Sequence, residues 1–305
     1  MLALLSLESW HSLKGVGILT GLLISLIPAL LWGTLPLVSA KVGGTPHHQV
    51  FGMTIGALLF SVAVFFIVPP ELNATVVVVS FISGLCWAFG QFYQFAAMKA
   101  IGVSKTMPLS TGMQLAGAAV CGIVIFHEWD TAFRMTLGLT ALVLIVIGVL
   151  FTSKEKRNSP DQKTNTMVKG IFLIVLSTLG YVSYIVILRS FQIDGWSAIF
   201  PQSIGMILGA VVMSGKRVKS LYNRHTAYNI VSGFMWAGGN ISLLIATKLE
   251  GIAISFSMSQ IGTVLSTLGG IFILGEKKTK NQMVLLMIGC ILIILGGVLL
   301  GFTKG

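Results

Sequence analysis

Two stretches decide the fold: Gly84–Gly102, "GLCWAFGQFYQFAAMKAIG", and Gly233–Gly251, "GFMWAGGNISLLIATKLEG". Aligned end to end they share Gly84-x-x-Trp87-Ala88-x-Gly90-Gln91 with Gly233-x-x-Trp236-Ala237-x-Gly239-Asn240. Farther along, Lys99-x-x-Gly102 matches Lys248-x-x-Gly251. Each pair is separated by 149 residues, so one helical unit is written twice. Each copy is apolar along nearly its whole length and yet keeps a carboxamide in its middle. An amide in hydrocarbon must find a hydrogen-bond partner or it costs several kcal/mol.

Other parts of the chain repeat in the same order. Gln49-x-x-Gly52-x-x-x-Gly56-Ala57 returns as Gln202-x-x-Gly205-x-x-x-Gly209-Ala210. Gly122 and Glu128 return as Gly270 and Glu276. Around these motifs, ten runs are long and apolar enough to span a bilayer, each near the roughly 20 residues required. They are Gly17–Ala40, Gln49–Val68, Val76–Met98, Thr106–Phe126, Met135–Thr152, Val168–Leu188, Trp196–Ser214, Ala227–Thr247, Ile252–Leu274 and Met283–Phe302. The runs are too long for strands and lack period-two alternation. The expected fold is therefore all-α: a polytopic membrane protein of ten transmembrane helices. Residues 17–152 form a first five-helix repeat and 167–302 a second. The polar segment 153–166, "SKEKRNSPDQKTNT", links them. Because five is odd, the second copy lies upside down in the bilayer, which makes the whole a five-plus-five inverted repeat.

Composition agrees. Of 305 residues, 55% are hydrophobic and 10% charged, far below the charge content of a soluble domain. The net charge of +11 does not point to nucleic acid, because the basic residues sit in short loops between apolar runs. Loops after odd-numbered spans hold 15 Lys and Arg and the opposite side holds 5, which puts the linker in the cytoplasm and both ends outside. Residues 1–16 lack an early basic residue and read as a short extramembrane lead-in rather than a cleaved signal. Cys86, Cys121 and Cys290 lie in apolar runs with no disulfide or metal spacing. No metal or cofactor site is expected. No zinc-protease, Walker or nucleophile-elbow motif occurs, so an enzyme is not expected either.

Candidate binding residues follow from polarity inside the spans. Trp87, Gln91 and Gln94 are spaced i, i+4, i+7 and share one helix face. Trp236 and Asn240 repeat the first pair. An indole beside a carboxamide suits a sugar: the ring covers a C–H face while the amide serves hydroxyls as donor and acceptor. The competing reading is interhelical glue. Gln49 and Gln202 begin spans two and seven and either bridge helices or reach the cavity. Gln114 and Gln260 follow the runs "PLSTGMQ" and "SFSMSQ". Pro108 and Gly112 are expected to loosen span four. Trp32 is a further candidate, with an interfacial belt position as its alternative. All nine acids lie at span ends or in loops, so no mid-membrane proton relay stands out. For Glu128 and Glu276 the expectation is plain helix-end solvation rather than gating.

Several of these stretches together resemble a known family. "IPALLWGTLPLVSAKVGG" (27–44), "HHQVFGMTIGALLF" (47–60), the run from Gly84 to "HEW" (127–129), "FPQSIGMILGA" (200–210) and the run from Ser232 to "GEKK" (275–278) are similar to the bacterial glucose/ribose uptake proteins. These form the sugar-transporting branch of the drug/metabolite transporter superfamily. The resemblance runs from Ile27 to Gly301. It implies a ten-helix fold in the bacterial cytoplasmic membrane and import of a monosaccharide, glucose or ribose, driven by a proton gradient. An exporter of metabolites or drugs and an uncoupled sugar facilitator stay open as alternatives. The absence of charge in the spans argues independently for a neutral substrate. If the orientation is right, tags on the two chain ends will both be accessible from outside intact cells; ends on opposite faces would mean an odd number of crossings.

Overall fold

The structure, a computed structural model, describes residues 18–154 and 160–303. Among them no strand occurs. The helices in chain order are α1 (Ile18–Val42), α2 (Pro46–Ile67), α3 (Ala74–Ile101), α4 (Val103–Val124), α5 (Ala132–Ser153) and α6 (Pro160–Ser190), followed by α7 (Gly195–Ser214), α8 (Arg224–Glu250), α9 (Ile252–Ser259), α10 (Ile261–Phe272) and α11 (Lys280–Phe302). A short 3-10 helix, Gly215–Leu221, joins α7 to α8. Nine described helices are long and apolar enough to cross a membrane. The chain is a multi-pass membrane protein. Large apolar side chains such as Leu59, Val143, Phe172, Leu179 and Leu295 face outward, which is stable only against lipid.

Helix ends follow local chemistry. Asn73 and Asn223 cap α3 and α8, their side-chain oxygens accepting from Val76 N–H at 2.9 Å and from His225 N–H at 2.9 Å. Both helices stop at a glycine with left-handed backbone, Gly102 (φ +85°) and Gly251 (φ +81°). The two signature stretches thus fold as equivalent rods with equivalent start and stop signals.

Those rods organise the packing. α3 lies against α6 and α7, while α8 lies against α1 and α2, so each half grips the central helix of the other. The glycines permit it. A Cβ on Gly84 would sit 2.0 Å from the carbonyl oxygen of Gln202, and one on Gly233 would sit 2.1 Å from that of Met53. Hydroxyls bond across neighbouring helix contacts: Ser39 of α1 with Ser232 of α8 at 2.8 Å, Ser61 of α2 with Ser203 of α7 at 2.7 Å, and Ser83 of α3 donating to the Tyr184 carbonyl of α6 at 3.1 Å. The main core cluster forms where the halves meet, around Trp87, Met53, Met206 and Trp236.

Three expectations are corrected. The ninth span, expected as one helix from Ile252 to Leu274, is divided at Gln260 into α9 and α10. Ser255 Oγ donates back to the Gly251 carbonyl at 2.9 Å, and Thr263 N–H bonds to the Gln260 carbonyl three residues back. Span four, where Pro108 was expected to loosen the helix, is instead continuous from Val103 to Val124. The linker is partly helical, since α6 begins at Pro160, where proline is favoured at a first turn. The lead-in 1–16 falls outside the described residues.

The crossings set a stability test. Gly84→Ala forces a methyl group into a backbone carbonyl, an overpacking worth about 1–3 kcal/mol. Gly238→Ala meets only the Leu31 Cδ1 at 3.3 Å, at the end of a flexible side chain. Thermal unfolding in detergent is expected to show a clear loss for the first variant and near-wild-type behaviour for the second.

Candidate functional site

Trp87 and Trp236, the repeated indoles, meet at the centre of the molecule. Their ring centroids are 4.7 Å apart at an interplanar angle of 54°. The crossings of α3 with α7 and α8 with α2 bring them there, because each indole lies one turn beyond the contact glycine. Beside them opens a cavity of about 350 Å³, within the usual range for small-molecule sites. Eight of the ten candidate residues line it. Trp87, Gln91 and Gln94 come from α3, Gln114 from α4, Trp32 from α1 and Trp236 and Asn240 from α8. Gln260 reaches it from the break between α9 and α10.

Gln49 and Gln202 do not line this cavity. Both are buried, and both bridge helices. Gln49 Nε2 donates to the Ser39 carbonyl at 2.9 Å, and Gln202 Nε2 donates to Ser83 Oγ at 3.1 Å. Of the two readings left open for them, the structure places them as bridges.

The wall formed by α3, α4 and α6 is a chain of hydrogen bonds. Tyr181 Oη–H donates to Gln91 Oε1 at 2.6 Å and also lies 3.0 Å from Gln94 Oε1. Gln91 Nε2 donates to Gln94 Oε1 at 3.3 Å, and Gln94 Nε2 donates to Ser110 Oγ at 2.9 Å. Gln114 Nε2 donates to the same Ser110 oxygen at 2.8 Å. The facing wall is more aromatic. Trp32 Nε1 and Asn240 Nδ2 both donate to the Trp236 carbonyl, at 3.2 and 2.9 Å. Thr111 and Thr263 hydroxyls meet at 3.1 Å between α4 and α10.

Tyr181 and Tyr184 in α6, and Thr111, Ser259 and Thr263, line the cavity although sequence reasoning did not single them out. A signal for Tyr181 exists. Trp32 advanced by the 149-residue offset of Trp87 and Trp236 falls on position 181. The two aromatics pack on repeat-related glycines: a Cβ on Gly90 would approach Tyr181 Cγ to 3.1 Å, and one on Gly239 would approach Trp32 Nε1 to 2.2 Å.

No Asp, Glu, Lys, Arg or His is among the lining residues. Among the described residues, no group of three or more His, Cys, Asp and Glu is placed to hold a metal. The site can therefore offer neutral hydrogen-bond donors and acceptors beside flat apolar rings, which suits a polyhydroxylated, uncharged molecule.

The carboxylates lie at the ends of the bundle. Glu276 was expected to be solvated, but it caps the start of α4. Its Oε1 accepts from Val103 N–H at 2.5 Å, and its oxygens accept from Ser104 N–H at 3.2 and 3.3 Å and from the Ser104 hydroxyl. Glu128 pairs with Arg189, which also covers the Phe126 ring.

Comparison with known proteins places these features in a family. Residues 23–303 match the family described as "Sugar transport protein". The chain is 46% identical over 284 residues to the "Glucose uptake protein GlcU" of Bacillus subtilis, covering 93% of this chain and 98% of that protein. It is 45% identical to the "Probable glucose uptake protein GlcU" of Priestia megaterium over 92% of this chain and 98% of that one. A solved crystal structure superposes with a TM-score of 0.54 at 17% identity, over 93% of this chain and 96% of that chain, a likeness of fold alone. The family match takes in both walls of the cavity, and the chain belongs to the sugar transport protein family as a multi-pass membrane transporter rather than an enzyme.

Proposed function

We propose that this protein imports a neutral monosaccharide, glucose first and ribose next, across the bacterial cytoplasmic membrane by alternating access. One observation carries the reading: a central cavity lined by three indoles and five side-chain amides, with no charged group among its lining residues. A sugar crossing a bilayer must lose its hydration shell, and amides can take the place of that water. The names of the relatives point the same way.

Alternating access rests on two inverted five-helix units, 17–152 and 167–302. Its support is a difference between repeat-related ends. At Gly102 a Cβ would lie 2.7–2.8 Å from the Glu276 carboxylate, whereas at Gly251, with nearly the same φ, nothing among the described residues lies within 4 Å. Glu128, the counterpart of Glu276, is engaged with Arg189 instead. One end is latched by a carboxylate on a helix N-terminus and the other is not. By the distribution of basic loops the latched end is cytoplasmic, which makes this conformation outward-open. In the opposite state Glu128 caps the helix that begins after Gly251 and Glu276 lets go.

Import coupled to a proton would draw on these end carboxylates. A second reading, uncoupled facilitation, is favoured by the absence of any carboxylate from the cavity lining. Uptake of labelled glucose and ribose into proteoliposomes, with and without a protonophore, separates the two. Gln91→Ala and Asn240→Ala should each weaken uptake at low sugar about tenfold, the loss of a buried hydrogen bond. Normal uptake by both variants would remove the site assignment. Glu276→Gln weakens a charge-assisted cap, so maximal uptake should fall about tenfold while sugar-dependent quenching of tryptophan fluorescence persists. An unchanged maximal rate would show that the latch plays no part in transport.

A further inference from the structure

The polar wall has a fixed direction, and one residue sets it. A phenol has a single proton, and Tyr181 places it on Gln91 Oε1 with Gln94 Oε1 close by. Both carbonyl oxygens of α3 therefore converge on one hydroxyl. Gln94 Oε1 accepts from Gln91 Nε2 as well, and Gln94 Nε2 is directed to Ser110. Each glutamine has then used one of its two amide N–H groups inside the network and keeps the other. A carboxamide turned by 180° exchanges its oxygen for its nitrogen at almost no steric cost, so its direction is held only by its partners. Tyr181 is buried, packed edge-on against Trp87 at 6.3 Å and seated on Gly90, so its own position is held by the core rather than by the amides.

We propose that Tyr181 is a positioning and specificity-determining residue: by donating to Gln91 Oε1, while the Gln91 amide in turn donates to Gln94 Oε1, it makes the α3 wall a donor surface that recognises an acceptor-only atom, such as the ring oxygen of a sugar. The inference rests on the sugar reading above and goes beyond it by stating which part of the sugar this wall reads. A hydroxyl both donates and accepts, so it is served by an amide in either direction. A ring ether oxygen only accepts, so it is served only when N–H faces it. The opposite wall is built differently. Trp32, at the repeat-related position, spends its single N–H on the Trp236 carbonyl, position 94 is answered there by Leu243, and Asn240, whose Nδ2 donates to the same carbonyl, faces the pair Gln91 and Gln94 with one directed amide. The cavity is thus asymmetric despite the duplicated sequence, and a sugar has one preferred way round in it.

The test compares glucose with its carbocyclic analogue, in which a methylene replaces the ring oxygen, as competitors of labelled glucose uptake in proteoliposomes. The wild-type protein should prefer glucose about tenfold, since the analogue leaves a directed N–H unpaired. Tyr181→Phe keeps the ring and its packing and frees the amides to turn. Its KM for glucose should rise several-fold with little change in maximal rate, and its preference for glucose over the analogue should fall to about twofold or less. Gln94→Leu, which writes the residue of the opposite wall onto this one, should narrow the preference in the same way. If both variants take up glucose with the wild-type preference, Tyr181 does not set the direction of the wall and the inference is overturned. A wild-type protein that takes up glucose but does not distinguish it from the analogue also overturns the inference and leaves the sugar reading standing. A wild-type protein that takes up neither glucose nor ribose removes the sugar reading itself.

Discussion

At Gly84 and Gly233 a carbonyl oxygen of the other half occupies the place a methyl group would take. These two backbone-to-backbone crossings are the constraint from which the rest of the structure follows. In lipid, apolar surface supplies little force between helices, so packing must come from close approach and from polar groups bonding across the gap. The glycines give the approach at these two crossings, and serine pairs bond the adjoining contacts of α1 with α8 and of α2 with α7. Because each crossing joins a helix of one half to a helix of the other, neither half can close its own core. The indoles that lie just beyond the crossings are brought together as a result.

The same scarcity of water explains how polar groups are distributed. Gln49 and Gln202 sit at the crossings and are satisfied by fixed partners. Gln91, Gln94 and Gln114 sit beside the cavity, where the network orients each amide and still leaves Gln91 and Gln94 a second N–H for a solute. Partial satisfaction of this kind is costly in a sealed core. It is tolerable where water or a hydroxylated ligand completes the bonding. The division between bridging and binding glutamines is therefore a matter of depth and of the direction each helix face takes.

That division was only partly legible in the sequence. The duplicated Trp–amide pair marked the cavity, because recurrence at one offset singles out a shared face. Nothing in the primary structure separated Gln49 and Gln202 from the cavity residues; the registry of α2 and α7 along their neighbours decides it, and that is a three-dimensional fact. Tyr181 was missed because its partner at position 32 is a tryptophan, so the repeat is visible in position but not in identity. The interruption at Gln260 escaped because hydropathy does not register where helical hydrogen bonding stops and restarts. The engagement of Glu276 escaped because it joins residues 172 and 173 positions apart.

The interruption at Gln260 occurs in only one of the two copies, since α4 runs unbroken through the corresponding region. Under the alternating-access reading proposed above, mirror-related states built from such unequal copies differ in free energy. A carrier of that design populates its two sides unequally even with sugar balanced across the membrane. Its half-saturation concentrations for entry and exit then differ. An uncoupled version still could not concentrate its cargo, because the imbalance alters rates and occupancies and leaves the final distribution of sugar to thermodynamics alone.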